Sequence, residues 1–438
     1  MNWSAAAIKA VCHLPSSWVH RVVSGLCGSE RVRRRLEERD ARLLDGAPDH
    51  DAILIIGDVN LGDSVNIQPV ARVLRSCFPT AHIDYVHSRT AAPLIRSNPY
   101  ITESVPLFEG KFTPSEEEVR RLGRRIEERG YDLVLSFCPF LPERKLSRPG
   151  ATVLSPLAFT CRVIDRAGRD GTAVAHLIPN MTGYVRELVS NGRADHAGLA
   201  APESATIYLS ADVVERRDRW MAGQDVPPDS RPVFFNPDAS NRFTMVPEEL
   251  QFELLRSLLA AEDRGHLLLG SGFTFTGIER RLLERLPSEL ADRVTLVPTS
   301  LPIDVYAALT DACAVFITAD TGPMHIAAAR KECPARDGVF LNRTAVVGLF
   351  GPTLPRVYGY DSSRPGHLAA NQDAPSRVFA GGCPRKSLVC SVERIGQACP
   401  GESCFRGLDV EEVARFVLRC VSDERTCGAE RAAARQES

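Results

Sequence analysis

Short apolar runs that alternate with helix-length segments limit what this chain of 438 residues can fold into more than any other feature. The runs at residues 52–56 and 314–318 have the length of a strand and no polar face, so both are expected to be buried on two sides. Strand, turn and helix in this repeated order predict a parallel sheet that helices cover on both faces. The predicted fold class is therefore α/β, with doubly wound sheets of the Rossmann-like kind.

The alternation falls into two blocks, which predicts two domains. Strands are predicted in the first block at 52–56, 82–86, 103–107 and 133–137, and in the second at 233–235, 266–269, 294–297, 314–318 and 344–350. A Pro-rich polar segment at 224–232 lies between the blocks and is typical of a linker. We therefore expect a first domain at 51–225 and a second at 231–407, with a helical, basic N-terminal extension at 1–50 and a C-terminal helix and tail at 408–438.

Helix signals occupy the segments between these strands. Ser115 and Glu118 have the spacing of a capping box ahead of a charged helix that is expected to reach Arg129. Other helices are expected from the loop at 57–64 to about Cys77, and at about 303–312.

The balance of charges and the cysteine usage exclude several classes of protein. Lysine and arginine number 53 against 55 aspartates and glutamates, so the net charge of −2 gives no global basic field for nucleic acid. No run of about 18 apolar residues occurs, and residues 1–27 lack a signal-peptide pattern. A cytoplasmic location is therefore expected, with the 13 Cys mostly reduced.

Residues 1–45 carry a loose apolar stripe followed by a basic run from Arg31 to Arg35. An amphipathic, Arg-rich segment can lie on an anionic membrane surface, which would place the protein peripherally at the inner face of the cell membrane. The alternative is that the segment packs on its own domain, and this is the interpretation that we prefer.

A polar turn follows the strand predicted at 314–318. Asp320, Thr321 and Gly322 form this turn, and Pro323 suits the first turn of the helix that follows. Backbone N–H groups at such a helix start lack partners and favour an anion, most plausibly phosphate. The alternative is that Asp320 or Thr321 only caps the helix.

Asp-Thr-Gly-x-x-His-x-Ala-Ala-Ala at 320–329 and the second apolar strand, which ends in Phe-Gly-Pro-Thr at 350–353, together resemble glycosyltransferase family 9. These are the heptosyltransferases of lipopolysaccharide assembly. Gly62-Asp63, followed by Pro69, resembles the N-terminal motif of the same family. The resemblance implies the GT-B architecture, in which two doubly wound Rossmann-like domains face a cleft.

The resemblance also implies a reaction and a catalytic base. It implies an inverting transfer that needs no metal or other cofactor, most plausibly of heptose from ADP-heptose to a lipopolysaccharide-type or other glycan acceptor. Asp63 would be the base that deprotonates the acceptor hydroxyl. Asp58 is the competing carboxylate, and a role of Asp63 as the N-cap of a helix starting at Ser64 or Val65 is the structural alternative.

On the donor side, the resemblance places Asp320, Thr321 and Gly322 at the leaving diphosphate. His325, about one helical turn further on, would either bond to a phosphate or steady the turn.

The segment 236–247 departs from the family pattern, because the Lys expected near Pro247 is absent. Arg242 is the nearest cation and could take over the phosphate contact. Glu279 could bond to a ribose hydroxyl, although an exposed helix Glu is usually only solvated. The departure leaves the identity of the donor open.

Cys383, Cys390, Cys399 and Cys404 lie within 22 residues of each other. Four thiolates so close could hold a structural zinc or iron ion. The spacing lacks the Cys-x2-Cys pairs of common zinc sites, so ordinary thiols are the alternative.

Other functions remain open from the sequence. A nucleotide-sugar epimerase can have the GT-B shape, and a heptosyltransferase-like enzyme can act on a protein acceptor. A non-catalytic scaffold could keep the phosphate turn and transfer nothing, but the presence of Asp63 argues against it.

Overall fold

The computed structural model of the chain describes residues 30–44, 50–109, 113–138, 141, 143–154, 162–163, 166, 173–190, 202, 204–224, 226, 231–239, 244–261, 266–270, 276–336, 339–340, 343–370, 374–382 and 404–422. They belong to two compact units, Met1–Tyr208 and Leu209–Ser438. Within these described ranges, no helix combines the length and the apolar character needed to cross a bilayer.

The first unit is built on one parallel sheet. The strands of this unit are β1 (Ala52–Ile56), β2 (His82–Ser88), β3 (Glu103–Phe108), β4 (Leu133–Ser136), β5 (Thr152–Leu154) and, outside the parallel sheet, the short β6 (Thr206–Tyr208). Its helices are α1 (Glu30–Leu44), α2 (Leu61–Ile67), α3 (Pro69–Cys77), α4 (Ala92–Ile95), α5 (Glu116–Arg129), α6 (Glu143–Leu146) and α7 (Leu177–Val189). Five strands pair in the order β3-β2-β1-β4-β5, with every pair parallel.

Burial on both faces of β1 explains why its sequence has no polar side. Ile53 and Ile55 belong to one hydrophobic cluster, whereas Leu54 and Ile56 belong to another. Successive strand residues point to opposite faces, so both faces are covered. The doubly wound sheet expected from the apolar runs is confirmed.

Local sequence signals set the helix ends in this unit. The capping box forms as predicted, because Ser115 Oγ accepts from the N–H of Glu118 and the Glu118 carboxylate accepts from the N–H of Ser115. The single helix expected up to Cys77 is instead two helices separated at Gln68. Pro69 has no N–H to continue the helical bonding, which explains the break.

The part of the N-terminal extension that the structure describes packs on its own domain. Leu36 and Leu44 of α1 join the core cluster of the first unit, and Tyr184 of α7 donates a hydrogen bond to the Asp40 carboxylate. Residues 1–29 and 45–49 lie outside the described residues.

The second unit has the same architecture, with six of its strands in one parallel sheet. Its strands are β7 (Val233–Asn236), β8 (Leu267–Gly270), β9 (Val294–Val297), β10 (Val315–Ala319), β11 (Arg330–Cys333), β12 (Val339–Phe340), β13 (Ala345–Phe350) and β14 (Ser376–Ala380). Its helices are α8 (Ala211–Ala222), α9 (Glu248–Ala261), α10 (Ile278–Glu284), α11 (Ser288–Ala291), α12 (Ile303–Ala312), α13 (Gly322–Ala328), α14 (Pro355–Tyr358) and α15 (residues 410–422). The sheet order is β14-β13-β10-β7-β8-β9, and all of these pairs are parallel.

The division between the units follows Tyr208 and so lies ahead of the expected linker at 224–232. Helix α8 lies within the range expected for the first domain, 51–225, but packs on α12 of the second unit. Arg216 Nη2 lies 2.9 Å from Asp304 Oδ2, and Arg217 Nη1 donates to the carbonyl of Ala308. These contacts explain why α8 belongs to the second unit and why the boundary precedes the expected linker. Helix α15 also packs in this unit, where Val413 and Val417 join the core.

Candidate functional site

Each sheet has one point where the order of its strands reverses. In the first unit the chain moves from β1 outwards to β2 and β3, and then returns to the other side of β1 with β4. In the second unit the same reversal separates β7 from β10. Ligands of open parallel sheets bind beyond the carboxyl ends of the strands at this point. The loops after β1, β7 and β10 are therefore the places where functional side chains are expected.

The loop after β1 is packed tightly against Tyr85. A Cβ atom on Gly57 would lie 2.6 Å from the Tyr85 hydroxyl, so only glycine fits without a shift of that ring. The Tyr85 hydroxyl donates to the carbonyl of Ser64, and Ser64 Oγ donates to the carbonyl of Asp58. These bonds hold the start of α2 against the sheet and fix the carboxylates of the loop.

Asp63 lies in the first turn of α2, whose N-cap is Asn60. The helix begins at Leu61 and not at Ser64 or Val65, so Asp63 is not its N-cap. Among the described residues, the Asp63 carboxylate accepts one hydrogen bond, from Asn60 Nδ2 at 3.3 Å. This leaves acceptor capacity for a ligand hydroxyl.

Asp58 and Asp63 share one environment and affect each other's protonation. Burial raises the pKa of Asp63, while the Asn60 bond opposes the rise. Burial and the charge of Asp63 raise the pKa of Asp58 well above its usual value. Because the charge of one carboxylate disfavours the charge of the other, the pair resists holding two negative charges at once.

In the second unit, three side chains connect the ends of β7 and β10. Asn236 Nδ2 donates to Thr318 Oγ1 at 3.0 Å, and Thr318 Oγ1 lies 3.1 Å from Thr321 Oγ1. The structure therefore brings the predicted Thr321 to the reversal point through two partners, Asn236 and Thr318, that the motif analysis did not assign. Both could have been found as polar residues that end apolar strands.

Two buried polar atoms at this sheet edge lack a hydrogen-bond partner within the described ranges. They are Asn236 Oδ1 and Thr353 Oγ1, on side chains that are 1% and 5% exposed. An unpaired buried polar atom costs about 1–3 kcal/mol, so such atoms mark a place for water or a polar ligand. Thr353 follows β13, the neighbour of β10, so both atoms lie at the edge that carries Asp320.

Asp238 fixes the loop after β7. Its carboxylate accepts from the N–H of Ala239 at 2.8 Å and from Thr276 Oγ1 at 2.9 Å. Thr276 lies two residues before α10, whose first turn contains the half-buried Glu279. The fixed loop places the start of α10 beside the end of β7. Arg242, the predicted substitute for the missing Lys, lies outside the described residues.

His325 is buried in α13 and hydrogen-bonds through Nδ1 with the Tyr360 hydroxyl at 3.0 Å. Burial lowers the pKa of His325 to about 4, so the ring is neutral near pH 7. Burial and the nearby charge of Asp320 raise the pKa of Tyr360. Of the two roles expected for His325, these contacts favour steadying the turn. Tyr360 follows 35 residues later in the chain, and no sequence signal connected the two.

Among the residues that the structure describes, one further group of ligand atoms is close enough together to hold a metal. Atoms of His82, Asp84 and Glu103 lie within 4.8 Å of one another at the amino ends of β2 and β3. Arg125 already contacts both Asp84, at 2.7 Å, and Glu103, at 2.8 Å, and Tyr131 donates to Asp84. Because a cation already neutralises the carboxylates, this group is an internal charge network at the edge opposite Asp63.

Of the four cysteines in the predicted cluster, the structure describes one. Cys383, Cys390 and Cys399 lie outside the described residues, and Cys404 is buried in the core of the second unit. The metal site therefore stays a prediction.

Comparisons with known proteins point to one family. Residues 213–378 match the model of glycosyltransferase family 9 (heptosyltransferase). Lipopolysaccharide heptosyltransferase 2 of Escherichia coli (strain K12) is 24% identical over 317 residues, which are 69% of this chain and 83% of that protein. Lipopolysaccharide heptosyltransferase 2 of Salmonella typhimurium is 34% identical over 80 residues, so that match spans only 18% of this chain and 23% of the relative.

A solved structure extends the likeness to both units. The glycosyl transferase family 9 protein from Veillonella parvula has a TM-score of 0.60 at 17% identity, covering 86% of this chain and 99% of that protein. The likeness shows that the two Rossmann-like units have the GT-B architecture. Residues 213–378 therefore resemble glycosyltransferase family 9, and the likeness to a lipopolysaccharide heptosyltransferase extends over 69% of the chain.

Proposed function

We propose that this protein transfers a heptose from ADP-heptose to a hydroxyl of a lipopolysaccharide-type glycan, with inversion at the anomeric carbon. The match of residues 213–378 to the family model and the names of the relatives support the transferred sugar and the acceptor class. The observation that carries the proposal is the position of Asp63, because this half-buried carboxylate follows β1 at the reversal point and keeps free acceptor capacity.

On the acceptor side, Asp63 takes the proton from the attacking hydroxyl. The hydroxyl oxygen forms the new bond to the anomeric carbon while the bond to the nucleotide diphosphate breaks, and the electron pair leaves with the diphosphate. Asp58 lies in the same loop, and burial together with the charge of Asp63 raises the pKa of Asp58, so a second negative charge beside the base is disfavoured.

On the donor side, the turn of Asp320, Thr321 and Gly322 meets the diphosphate. The helix α13 has only seven residues, so its dipole alone is a weak argument. The stronger support is the polar chain from Asn236 to Thr321 together with the unpaired Thr353 Oγ1. Arg242 and Glu279 remain candidates for phosphate and ribose contacts. The mechanism needs no metal, since Asp63 supplies the base and N–H and hydroxyl groups meet the leaving group.

The test is an assay of ADP release and of acceptor mass with the full chain. ADP-heptose and a lipopolysaccharide that lacks heptose should give ADP and an acceptor heavier by one heptose, whereas either substrate alone should give neither. ADP-heptose that is epimerised without an acceptor would favour the epimerase instead. Transfer of heptose to a protein but not to the glycan would mean that the acceptor is a protein.

A cytoplasmic location, peripheral to the membrane, follows from such substrates and is part of the proposal.

A further inference from the structure

The buried stripe of helix α9 contains one polar side chain, Gln251. The other buried residues of this helix are leucines in the core of the second unit, at positions 254, 255, 258 and 259. The spacing of the stripe is that of the buried face of an amphipathic helix. Gln251 occupies its first position and is 1% exposed. A buried amide is costly unless it forms hydrogen bonds, so Gln251 is expected to bond to specific partners.

The Gln251 amide joins the two ends of the loop between β7 and α9. Gln251 Nε2 donates to the carbonyl of Pro237, 2.9 Å away, and to the carbonyl of Val246, 2.7 Å away. An amide nitrogen has two hydrogens, so both bonds can form at once. Side chains in a helix point back toward its N-terminus, which directs Gln251 from the start of α9 to the loop that precedes it. One nitrogen atom therefore holds both ends of this loop.

Other side chains hold the same end of β7. Asn236 Nδ2 donates to the carbonyl of Asp238, 3.3 Å away, one residue beyond the carbonyl of Pro237. It also donates to Thr318 Oγ1 in β10, and the Asp238 carboxylate accepts from Thr276 Oγ1 just ahead of α10. The carbonyl that Gln251 holds therefore lies between the two residues that connect β7 to β10 and to α10.

We propose that Gln251 is a positioning residue for the donor side of the proposed transfer, on which this inference rests. Gln251 contacts no substrate atom, because its side chain is buried and both hydrogens of its amide are bonded within the protein. By holding Pro237, it keeps Asn236 and Asp238 in the arrangement that connects β7 to β10 and α10. Without these bonds the loop populates other arrangements, and the apparent Kd of the donor rises as the competent fraction falls.

Gln251→Met tests this role, because methionine keeps the length of the side chain and removes both donors. Its Kd for ADP, measured by calorimetric titration with the full chain, should rise roughly tenfold, about the effect of losing one or two neutral hydrogen bonds. The KM for ADP-heptose should rise by a similar factor while kcat stays within about twofold, since the loop binds the ground state and the transition state alike. A variant that is only less stable has less folded enzyme, which lowers the apparent kcat and leaves KM unchanged.

The matched control is Asn180→Leu in the first unit. Asn180 Nδ2 likewise donates to two carbonyls, those of Val174 and His176, at 3.1 Å and 2.7 Å, and the side chain is 3% exposed. Leucine removes both donors in a side chain of similar shape. This variant should therefore lose stability but bind ADP like the unchanged protein. Melting temperatures show which variants are folded at the temperature of the titration.

Gln251→Glu adds a pH readout that a change in packing alone would not give. An ionised carboxylate only accepts, so the carbonyls of Pro237 and Val246 repel it, whereas a protonated carboxyl can donate to one of them. The ratio of its Kd for ADP to that of the unchanged protein should be severalfold smaller at about pH 5.5 than at about pH 8, because burial favours the protonated form. The same ratio for Gln251→Met should not change with pH.

The inference is overturned if folded Gln251→Met and Gln251→Glu bind ADP as tightly as the unchanged protein, or if Asn180→Leu weakens ADP binding as much as Gln251→Met does. It is also overturned if neither Gln251 variant folds, since Gln251 would then be needed for the fold itself. Binding of GDP or UDP in place of ADP would instead contradict the proposed donor, and the same comparison with that nucleotide would still test Gln251. If none of the three nucleotides binds the unchanged protein, both proposals are wrong.

Discussion

Lys331 Nζ lies 3.0 Å from Asp311 Oδ1, and both side chains are buried in the second unit. Lys331 Nζ also donates to the carbonyl of Ala327 in α13, while Asp311 belongs to α12. Burial raises the pKa of Asp311 to about 6 and lowers the pKa of Lys331, each against the opposing charge of its partner. The pair therefore joins the helix after the Asp320 turn to its neighbour.

We expect Lys331→Met to lower the free energy of unfolding by about 3–5 kcal/mol, because it leaves a carboxyl buried without its cation. Denaturant unfolding followed at several probes measures the loss. The double substitution Lys331→Met with Asp311→Leu should recover much of the loss, since it removes both charges. If Lys331→Met alone unfolds at the same denaturant concentration as the unchanged protein, the pair contributes nothing to stability.

His325 should make stability depend on pH below neutrality. Its pKa is about 4 in the folded protein and about 6.5 in the unfolded chain. The unfolded state therefore binds more protons between these values, so stability is complete above pH 6.5 and falls by about 3 kcal/mol as the pH drops to 4.

The variant His325→Asn tests this pH dependence, since an amide can still bond with Tyr360 but does not titrate. Its melting temperature should fall less between pH 6.5 and 4 than that of the unchanged protein. The His87 ring, whose pKa is also lowered to about 4, titrates equally in both proteins and cancels. Parallel curves for the two proteins would contradict the assignment to His325.

Helices and strands with a local sequence pattern, such as an apolar run or helical periodicity, could mostly be predicted from the sequence. The strands at 294–297 and the helix at 303–312 have the predicted ends, because periodicity and apolar runs define them locally. Good helix formers continue after the Asp320 turn as far as Arg330, but the helix ends at Ala328, and Ala329 is extended with ψ of 137°. Arg330 begins β11, which pairs with β12. Strand pairing overrides helix propensity there, and propensity alone could not show it.

The site was predictable only in part, for a similar reason. Asp63 and Thr321 belong to compact motifs, so the sequence places them after their strands. Tyr360, the partner of His325, and Lys331, the partner of Asp311, are chosen by packing between separate elements. A single sequence contains no signal for such contacts.

Asp63→Asn should lower transfer by about two to four orders of magnitude and leave donor affinity nearly unchanged, because an amide of the same shape cannot accept the proton. Asp58→Asn is the matched control in the same loop, and it should keep transfer within about tenfold. Rates come from ADP release, and affinity comes from calorimetric titration. Loss of transfer in Asp58→Asn with activity retained in Asp63→Asn would assign the base to Asp58.

The four clustered cysteines should give the purified protein close to one zinc or iron ion per chain. A combined replacement by serine at Cys383, Cys390, Cys399 and Cys404 should remove the ion, because the thiolates would be its ligands. Since Cys404 is buried, serine there also disturbs packing, and Cys77→Ser at a buried site of the first unit is the control for that effect. Elemental analysis that finds no metal in protein purified without chelator would leave ordinary thiols.

The turn after β10 should determine the affinity for nucleoside diphosphates. Thr321→Val removes the hydroxyl that lies 3.1 Å from Thr318 Oγ1 and keeps the volume. It should make the binding free energy of ADP less favourable by about 0.5–1.5 kcal/mol, or by more if the phosphate charge strengthens the hydrogen bond. Gly322 does not have a positive φ, so Gly322→Val tests mainly whether a side chain blocks the approach of phosphate. Arg242→Ala should weaken the binding of ADP by a similar amount if Arg242 replaces the missing Lys.

The control for these variants is Thr344→Val, the same exchange in the segment that enters β13 at the opposite edge of the sheet. Thr344 Oγ1 donates to the carbonyls of Thr310 and Cys313, so this variant should lose stability but keep its affinity for ADP. Calorimetric titration with ADP and competing nucleoside diphosphates gives the affinities, and melting temperatures show which variants are folded. If Thr321→Val and Gly322→Val are folded and both bind ADP as tightly as the unchanged protein, the turn only begins a helix. The diphosphate must then be bound elsewhere, because the contact proposed for this edge of the sheet would be absent.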